Sequence, residues 1–482
     1  MNLIDILYDV EVLQIDGPSD PDVRQIHFDS RKVQAGDLFV AVSGTQVDGH
    51  TFINRVVDQG AAVIVCEKLP AALVPNVTFV RVASSSAALG IIANTFYGRP
   101  SERMVLVGVT GTNGKTTTAT LLYRLFNALG RRSGLLSTIR NYAGDDIVPS
   151  THTTGDAIQI ASLMARMVSA GCTHCFMEVT SHAIHQHRIA GLKFDGAVFT
   201  NLTHDHLDYH GSIDAYRDVK KSFFDTLPAT AFALTNVDDP AGKLMICDTP
   251  ARKFAYGVAT RIDFPLRINR LDANGLDLNI HGNTVSSRLV GEFNAYNLAA
   301  VFSAAVLMGA DERDVAAALS TLAPVEGRME RIDGPNGITA VVDFAHTPDA
   351  LEKALATLRN SVPEARLICV VGCGGDRDRE KRPLMAEIAA RCADEVVFTS
   401  DNPRSEDPIS ILDQMVAGVP ADFLGRISIN PEREAAIRQV CKSALPGTMI
   451  LIAGKGHEKY QEIAGERYPF DDVACARTAL NN

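Results

Sequence analysis

The chain has 482 residues, 46% hydrophobic, 21% charged and 6% aromatic; at about 150 residues per domain this predicts three folded units and excludes an intrinsically disordered chain. Its 46 basic and 57 acidic side chains leave a formal net charge of −11, which excludes a general nucleic-acid coat or a basic membrane binder, because both need a positive surface. Any polyanionic ligand must be held by local charge and backbone N–H groups.

The first residues, Met1-Asn2-Leu3-Ile4-Asp5, have no signal-peptide pattern. The longest apolar run, 298–310, falls short of the ~18 residues a bilayer span needs. The expectation is a cytoplasmic protein with no membrane or nucleic-acid partner. The nine cysteines are scattered, with close pairs only at Cys172/Cys175 and Cys369/Cys373; they read as reduced core thiols, with a zinc site as the alternative.

In chain order, short apolar runs at 37–42, 61–66 and 77–82 predict strands, and 87–96 predicts a helix. Tyr97-Gly98-Arg99-Pro100-Ser101 breaks that helix and marks the end of a first unit, 1–99. A buried strand at 104–109 then leads to a helix at 115–129, stopped by Gly130, and strands follow at 174–179, 196–200 and 231–235. This rhythm predicts a mostly parallel sheet covered on both faces. Residues 262–290 alternate polar with apolar and carry turn signals at Asn274-Gly275 and Gly282-Asn283, which predicts an antiparallel insertion. A helix at 296–308 closes a second unit, 100–324, near Pro324. The third unit, 325–482, repeats the α/β rhythm with strands at 339–344, 367–371, 395–399 and 449–452.

The strand at 104–109 runs into Thr110-Gly111-Thr112-Asn113-Gly114-Lys115-Thr116-Thr117 and then a helix. Glycines let the backbone expose consecutive N–H groups, and the helix N-terminus adds partial positive charge. Lys115 can reach the β/γ-phosphates, and the Thr116 hydroxyl can sit on Mg²⁺. The general motif has a glycine where this chain has Val109, so the match is partial. An ordinary glycine-rich turn competes with it, but the strand before, the helix after and the Gly-Lys-Thr core favour a phosphate loop.

Glu178 ends a buried strand and is followed by Thr180-Ser181-His182, then by His185-Gln186-His187-Arg188. After the strand at 196–200 comes His204-Asp205-His206-Leu207-Asp208-Tyr209-His210. Three histidines and two aspartates in seven residues suit a transition metal, or Mg²⁺ in a mixed set with Glu178, or a merely solvated loop. A shared sheet with a phosphate loop favours Mg²⁺ and phosphoryl transfer. Lys220 and Lys221 read from composition as a solvated helix face. In the last unit, Arg377, Asp401-Asn402-Pro403-Arg404 and Gly454-Lys455-Gly456-His457-Glu458 follow strand ends. Arginine pairs with carboxylates and Glu receives ammonium, so these loops suit a zwitterion.

These motifs, with Asp29-Ser30-Arg31, Thr153-Thr154, the pair Asn294/Asn297 and Gly327-Arg328-Met329-Glu330, resemble over the whole chain the Mur ligases of peptidoglycan synthesis, in the branch that adds meso-diaminopimelate. The missing phosphate-loop glycine is also how that family looks. The resemblance implies an α/β, three-domain architecture: an N-terminal UDP-MurNAc-binding domain, a central P-loop ATPase sheet and a C-terminal Rossmann-like amino-acid-binding domain. It implies that ATP phosphorylates the D-Glu carboxylate of UDP-MurNAc-L-Ala-D-Glu and that the amine of diaminopimelate attacks the acyl phosphate.

By position, Ser30, Thr45, Gln46, Thr153, Thr154, Ser181, Gln186 and Arg188 would hold the UDP-sugar dipeptide. Gly111, Thr112, Asn113, Gly114, Lys115, Thr116, Thr117, Asn294, Arg328 and Asp343 would hold ATP. Thr116, Glu178, His206 and a carbamylated Lys220 would hold Mg²⁺, and Arg377, Asp401, Asn402, Pro403, Arg404, Gly454 and Glu458 would recognise diaminopimelate. Small-molecule substrates and a monomer are implied. An L-lysine-adding ligase is the alternative, and Arg404 argues against it, because lysine would leave that charge unpaired. A folylpolyglutamate-synthase-like ligase is disfavoured by the first hundred residues and the DNPR loop, and a non-catalytic nucleotide-binding regulator remains as a rival of another class.

Overall fold

The computed structural model describes residues 1–44, 47–149, 153–272 and 274–481. Three main sheets organise them in chain order. The first has five strands, ordered Val12–Asp16, Thr78–Val82, Val63–Cys66, Leu38–Val40 and Ile26–His27. Its inner strands pair in parallel and are buried nearly throughout, which is why they read in sequence as unbroken apolar runs. The antiparallel edge strand Val12–Asp16 is largely exposed and therefore carries no such signal.

In the central eleven-stranded sheet, Val105–Thr110 lies between His174–Glu178 and Gly196–Phe199, parallel to both. Glu178 stands opposite Val109, and Phe199 opposite Thr110. The loops after these strands therefore leave the sheet side by side, at the carboxyl ends where open α/β sheets bind ligands. Gly108 has a packing reason: a Cβ there would lie 2.6 Å from the Phe223 ring. Its absence lets helix Ile213–Asp225, which carries Lys220, pack close against the strand.

The residues expected as an antiparallel insertion form a meander of Phe264–Asp272, Gly275–Ile280 and Asn283–Ser287. It is an extension of the central sheet rather than a separate insertion, because Phe264–Asp272 pairs in parallel with Arg252–Gly257. At the opposite edge, Ser133–Leu136 leads to the hairpin Arg140–Ala143/Asp146–Pro149. Helix Glu292–Leu307 is mostly buried and packs on helix Lys115–Ala128, as an apolar helix without a polar face must. Among the described residues, no helix is long and apolar enough to cross a membrane.

The third sheet is ordered Glu330–Asp333, Thr339–Asp343, Met449–Ala453, Leu367–Val371, Glu395–Phe398 and Ile427–Ile429, all parallel except its first strand. Asp343 is level with Ala453, and Val371 with Phe398. The loops beginning at Phe344, Gly372, Thr399 and Gly454 thus share one edge. A small hairpin, Tyr460–Ile463/Glu466–Pro469, lies against them.

Candidate active site

A cleft of about 900 Å³ is lined by the loop after Thr110, by Glu178 and the segment around His206, and by the strand-end loops of the third sheet. Two glycines shape its floor. Gly111 has φ of 149°, and a Cβ there would sit 2.0 Å from the Thr200 hydroxyl; Gly114 has φ of 84°, and its Cβ would meet the Asn297 amide oxygen at 2.4 Å. No L side chain fits either position.

The Gly111 carbonyl accepts hydrogen bonds from two lysine Nζ atoms, Lys115 and Lys220, both at 2.9 Å. Lys115 also donates to the Thr112 carbonyl at 2.7 Å. Burial lowers the pKa of both lysines; for Lys220 the shift is large, and the neighbouring Lys115 charge adds to it. Lys220 is 1% exposed, which overturns its compositional reading as a solvated face. The neighbouring Lys221 is half-buried and points to the surface, paired with Asp225 at 2.9 Å and Asp248 at 2.6 Å.

Glu178 is 1% exposed. Its carboxylate accepts from the Thr116 hydroxyl at 2.8 Å and from the Thr138 N–H and hydroxyl at 2.7 and 3.1 Å. From the third unit, Arg328 donates to the Thr116 oxygen at 3.0 Å and lies over the Phe344 ring at 4.6 Å. Its Nε has no hydrogen-bond partner among the described residues. Asp343 accepts from the Met329 N–H at 2.7 Å, and burial raises its pKa against the pull of Arg328. Asn113 donates across the cleft to Asp349 at 2.9 Å. Asn297 lines the cleft, whereas the expected Asn294 stands behind it, accepting from Asn297 at 3.0 Å.

His204, His206 and His210 do not converge on one point. His204 faces Asp378 at 3.8 Å, His206 faces Asp205 at 3.3 Å, and His210 meets the Ser181 hydroxyl at 2.9 Å. Among the described residues, no group of three or more His, Cys, Asp or Glu is arranged to hold a metal ion, and all nine cysteines are free. An all-protein transition-metal or zinc cage is therefore not what these residues build. A Thr hydroxyl beside one carboxylate is instead the donor set of Mg²⁺ at a phosphate site, where the remaining ligands are phosphate oxygens and water. Burial keeps the His206 imidazole below its ordinary pKa, and a neutral imidazole suits a ligand.

The residues expected to hold the UDP-sugar dipeptide divide. Arg188 donates to the Thr154 carbonyl at 2.8 Å and to the Gln186 amide oxygen at 2.6 and 3.0 Å. Gln186 in turn reaches the Tyr209 hydroxyl at 3.1 Å, and the Thr154 hydroxyl donates to the Glu178 carbonyl at 2.8 Å. Thr153 lines the cleft. Ser30 is buried in the first unit, away from the cleft lining. Thr45 and Gln46 lie outside the described residues.

The three strand-end loops of the third unit are locked together. Arg404, at φ of 52°, donates to the Gly375 carbonyl at 2.7 Å. Asn402 donates to Glu458 at 2.8 Å. At Gly454 a Cβ would strike the Asp401 carboxylate at 2.5 Å. Arg377 lines the same cleft, its pKa lowered by burial and by Arg404. Arg382 reads in the sequence only as part of a basic loop with Arg377 and Arg379, Lys455 only as part of the Gly454–Glu458 motif, and Arg433 carries no motif. All three are buried cations behind these loops, and composition gives no signal for buried charge.

Family models match nearly the whole chain: "Mur ligase family, catalytic domain" at residues 22–97, "Mur ligase middle domain" at 109–305 and "Mur ligase, glutamate ligase domain" at 327–456. A protein of Cytophaga hutchinsonii named UDP-N-acetylmuramoyl-L-alanyl-D-glutamate–2,6-diaminopimelate ligase is 50% identical, covering 100% of this chain and 99% of its own. Its namesake in Parabacteroides distasonis is 49% identical, covering 98% and 97%. A solved structure of a ligase of that name superposes with a TM-score of 0.69 at 32% identity, covering 100% of this chain and 98% of the other. Folylpolyglutamate synthase of Mycobacterium tuberculosis reaches a TM-score of 0.61 at 19% identity, covering 76% of this chain and 92% of its own, which shows a common fold alone.

Proposed function

The chain belongs to the Mur ligase family, and from that premise we propose that it is the ATP-dependent ligase joining meso-diaminopimelate to the D-Glu carboxylate of UDP-MurNAc-L-Ala-D-Glu. The observation that carries this reading is one cleft with a phosphate loop on one wall and Arg377, Asn402, Arg404 and Glu458 on the other. Residues 1–99 serve as the UDP-sugar unit, 100–324 as the ATPase and 325–482 as the amino-acid unit. The protein works as a monomer in the cytoplasm, where its free thiols stay reduced.

A carboxylate is a poor electrophile, and activating it brings two anions together. Lys115 and the N–H groups at the start of helix Lys115–Ala128 hold the phosphates, and Arg328 adds charge beside Thr116. Thr116, Glu178 and His206 would hold Mg²⁺, which supplies further charge neutralisation. The substrate carboxylate oxygen attacks the γ-phosphorus and ADP leaves. The amine nitrogen then attacks the acyl carbon, phosphate leaves, and the nitrogen gives up a proton. Arg404 and Arg377 face the distal carboxylate of diaminopimelate, and Glu458 its ammonium. Burial and the neighbouring Lys115 charge disfavour the Lys220 ammonium; its neutral amine would add to carbon dioxide with loss of a proton, so that a carbamate replaces an amine beside the Gly111 carbonyl.

Phosphate release with UDP-MurNAc-L-Ala-D-Glu and each amino acid tests the assignment. Turnover is expected with meso-diaminopimelate; turnover with L-lysine alone would overturn it. Lys115→Ala is expected to lower amide formation at least about 10²-fold, as for loss of one transition-state charge partner; unchanged activity would end the enzymatic reading.

A further inference from the structure

Glu458 does not meet the cleft as a free carboxylate. Its Oε2 accepts from the Lys455 ammonium at 2.8 Å and from the Asn402 amide at 2.8 Å. Lys455 is 0% exposed. It donates in addition to the Asn402 side-chain Oδ1 at 2.9 Å and lies over the Tyr460 ring at 5.4 Å. Both of the Glu458 bonds end on Oε2 and, among the described residues, neither involves Oε1; Glu458 lines the cleft while Lys455 does not. The negative charge that an incoming ammonium would meet is thus already balanced from behind.

We propose that Lys455 is a specificity-determining positioning residue: by neutralising Glu458 and fixing its carboxylate, it makes the pocket accept an ammonium only when a carboxylate accompanies it. This rests on the diaminopimelate reading above. The distal end of diaminopimelate is a zwitterion of zero net charge, so Arg404 and Arg377 take its carboxylate while Glu458 offers its remaining oxygen to the ammonium. The distal end of L-lysine is a lone cation. With Lys455 already balancing Glu458, and with no carboxylate to pair with Arg404 and Arg377, that cation gains too little from the pocket to be held.

The test is the ratio of kcat/KM for meso-diaminopimelate over L-lysine in the full-length wild type and in Lys455→Gln, Lys455→Met and Lys455→Arg. Gln keeps a hydrogen-bond donor and drops the charge; Arg keeps the charge. The ratio is expected to fall roughly tenfold or more in the Gln and Met variants, the size of one charge-assisted interaction, with L-lysine use rising and the KM for ATP unchanged, and to stay high in Arg. A purely structural role would depress both amino acids together and leave the ratio fixed, and that result, with ATP binding intact, overturns the proposal. Should the neutral variants lose ATP binding, inhibition of the wild type decides: L-lysine is expected to compete with meso-diaminopimelate only weakly, and tight competition overturns the proposal. A wild type that does not use meso-diaminopimelate would instead sink the functional reading itself.

Discussion

Adjacent lysines on one helix have opposite environments. Lys221 ends in a surface pair with Asp225 and Asp248, whereas Lys220, one residue earlier, turns inward to the Gly111 carbonyl at 2.9 Å. A rotation of about 100° per residue is enough to separate a solvated face from a site. Buried without a carboxylate partner and beside a second ammonium, Lys220 loses its proton more readily than an exposed lysine. The neutral amine is the form that adds to carbon dioxide. If that amine becomes the carbamate proposed above, Lys220→Ala is expected to lose most amide-forming activity and to regain part of it when a short carboxylic acid is supplied in the carbamate's place. Activity that is unaffected by the substitution would remove Lys220 from the site, and Lys221→Ala is the matched control, expected to stay near wild type.

Elements, unlike buried charges, could be read from the residues. The strands Val105–Thr110, His174–Glu178 and Leu367–Val371 lie within a residue or so of their expected places, because strands buried on both faces leave uninterrupted apolar runs. The hairpin Arg140–Ala143/Asp146–Pro149 and the edge strand Val12–Asp16 escaped, since half-exposed edge strands mix polar and apolar residues. The phosphate loop and the strand-end loops were legible as motifs. What holds them was not: Arg382, 0% exposed, reaches Glu406 at 2.8 and 3.0 Å, and Glu406 also accepts from the Asp376 N–H at 2.6 Å. That pair ties the loop carrying Arg377 to the loop carrying Arg404. The Arg382 hydrogen bonds hold the Glu406 carboxyl at about 2, down from an ordinary 4.5. A carboxyl depressed in the folded state contributes its full stability above the unfolded value and loses it as pH falls toward the folded one. Glu406→Gln should thus cost about 1.5–3 kcal/mol at pH 7, the scale of a hydrogen bond to a charged group, because it leaves the buried Arg382 without its carboxylate. The wild-type and variant stabilities should converge as pH drops from 4.5 toward 2. Urea unfolding at pH 7, 4 and 3 measures this, and a constant gap between the two proteins would refute it.

At the scale of the whole molecule, a chain of net charge −11 must bind two polyanions, ATP and a UDP-sugar, against its own field. It does so with single cations at set places: Lys115, Arg328, Lys353, Arg377, Lys381 and Arg404 line a cleft of about 900 Å³ whose walls also carry carboxylates. The third unit closes on the phosphate loop through Arg328 on Thr116 at 3.0 Å and Asp349 under Asn113 at 2.9 Å, so that charges from separate sheets act on one ligand. Cations placed singly beside backbone N–H groups suit a compact, highly charged anion inside the cleft and offer no continuous track to a nucleic-acid backbone. The Thr116–Glu178 pair adds a place for a hard divalent cation but too few protein ligands to retain it without phosphate. Chelation of Mg²⁺ is therefore expected to abolish phosphate release and readdition to restore it. At about 0.15 M salt, where the Debye length is roughly 8 Å, duplex DNA is expected neither to bind measurably nor to inhibit. Metal-independent turnover, or tight DNA binding under those conditions, would show that the acidic surface does not confine the protein's anion recognition to the cleft.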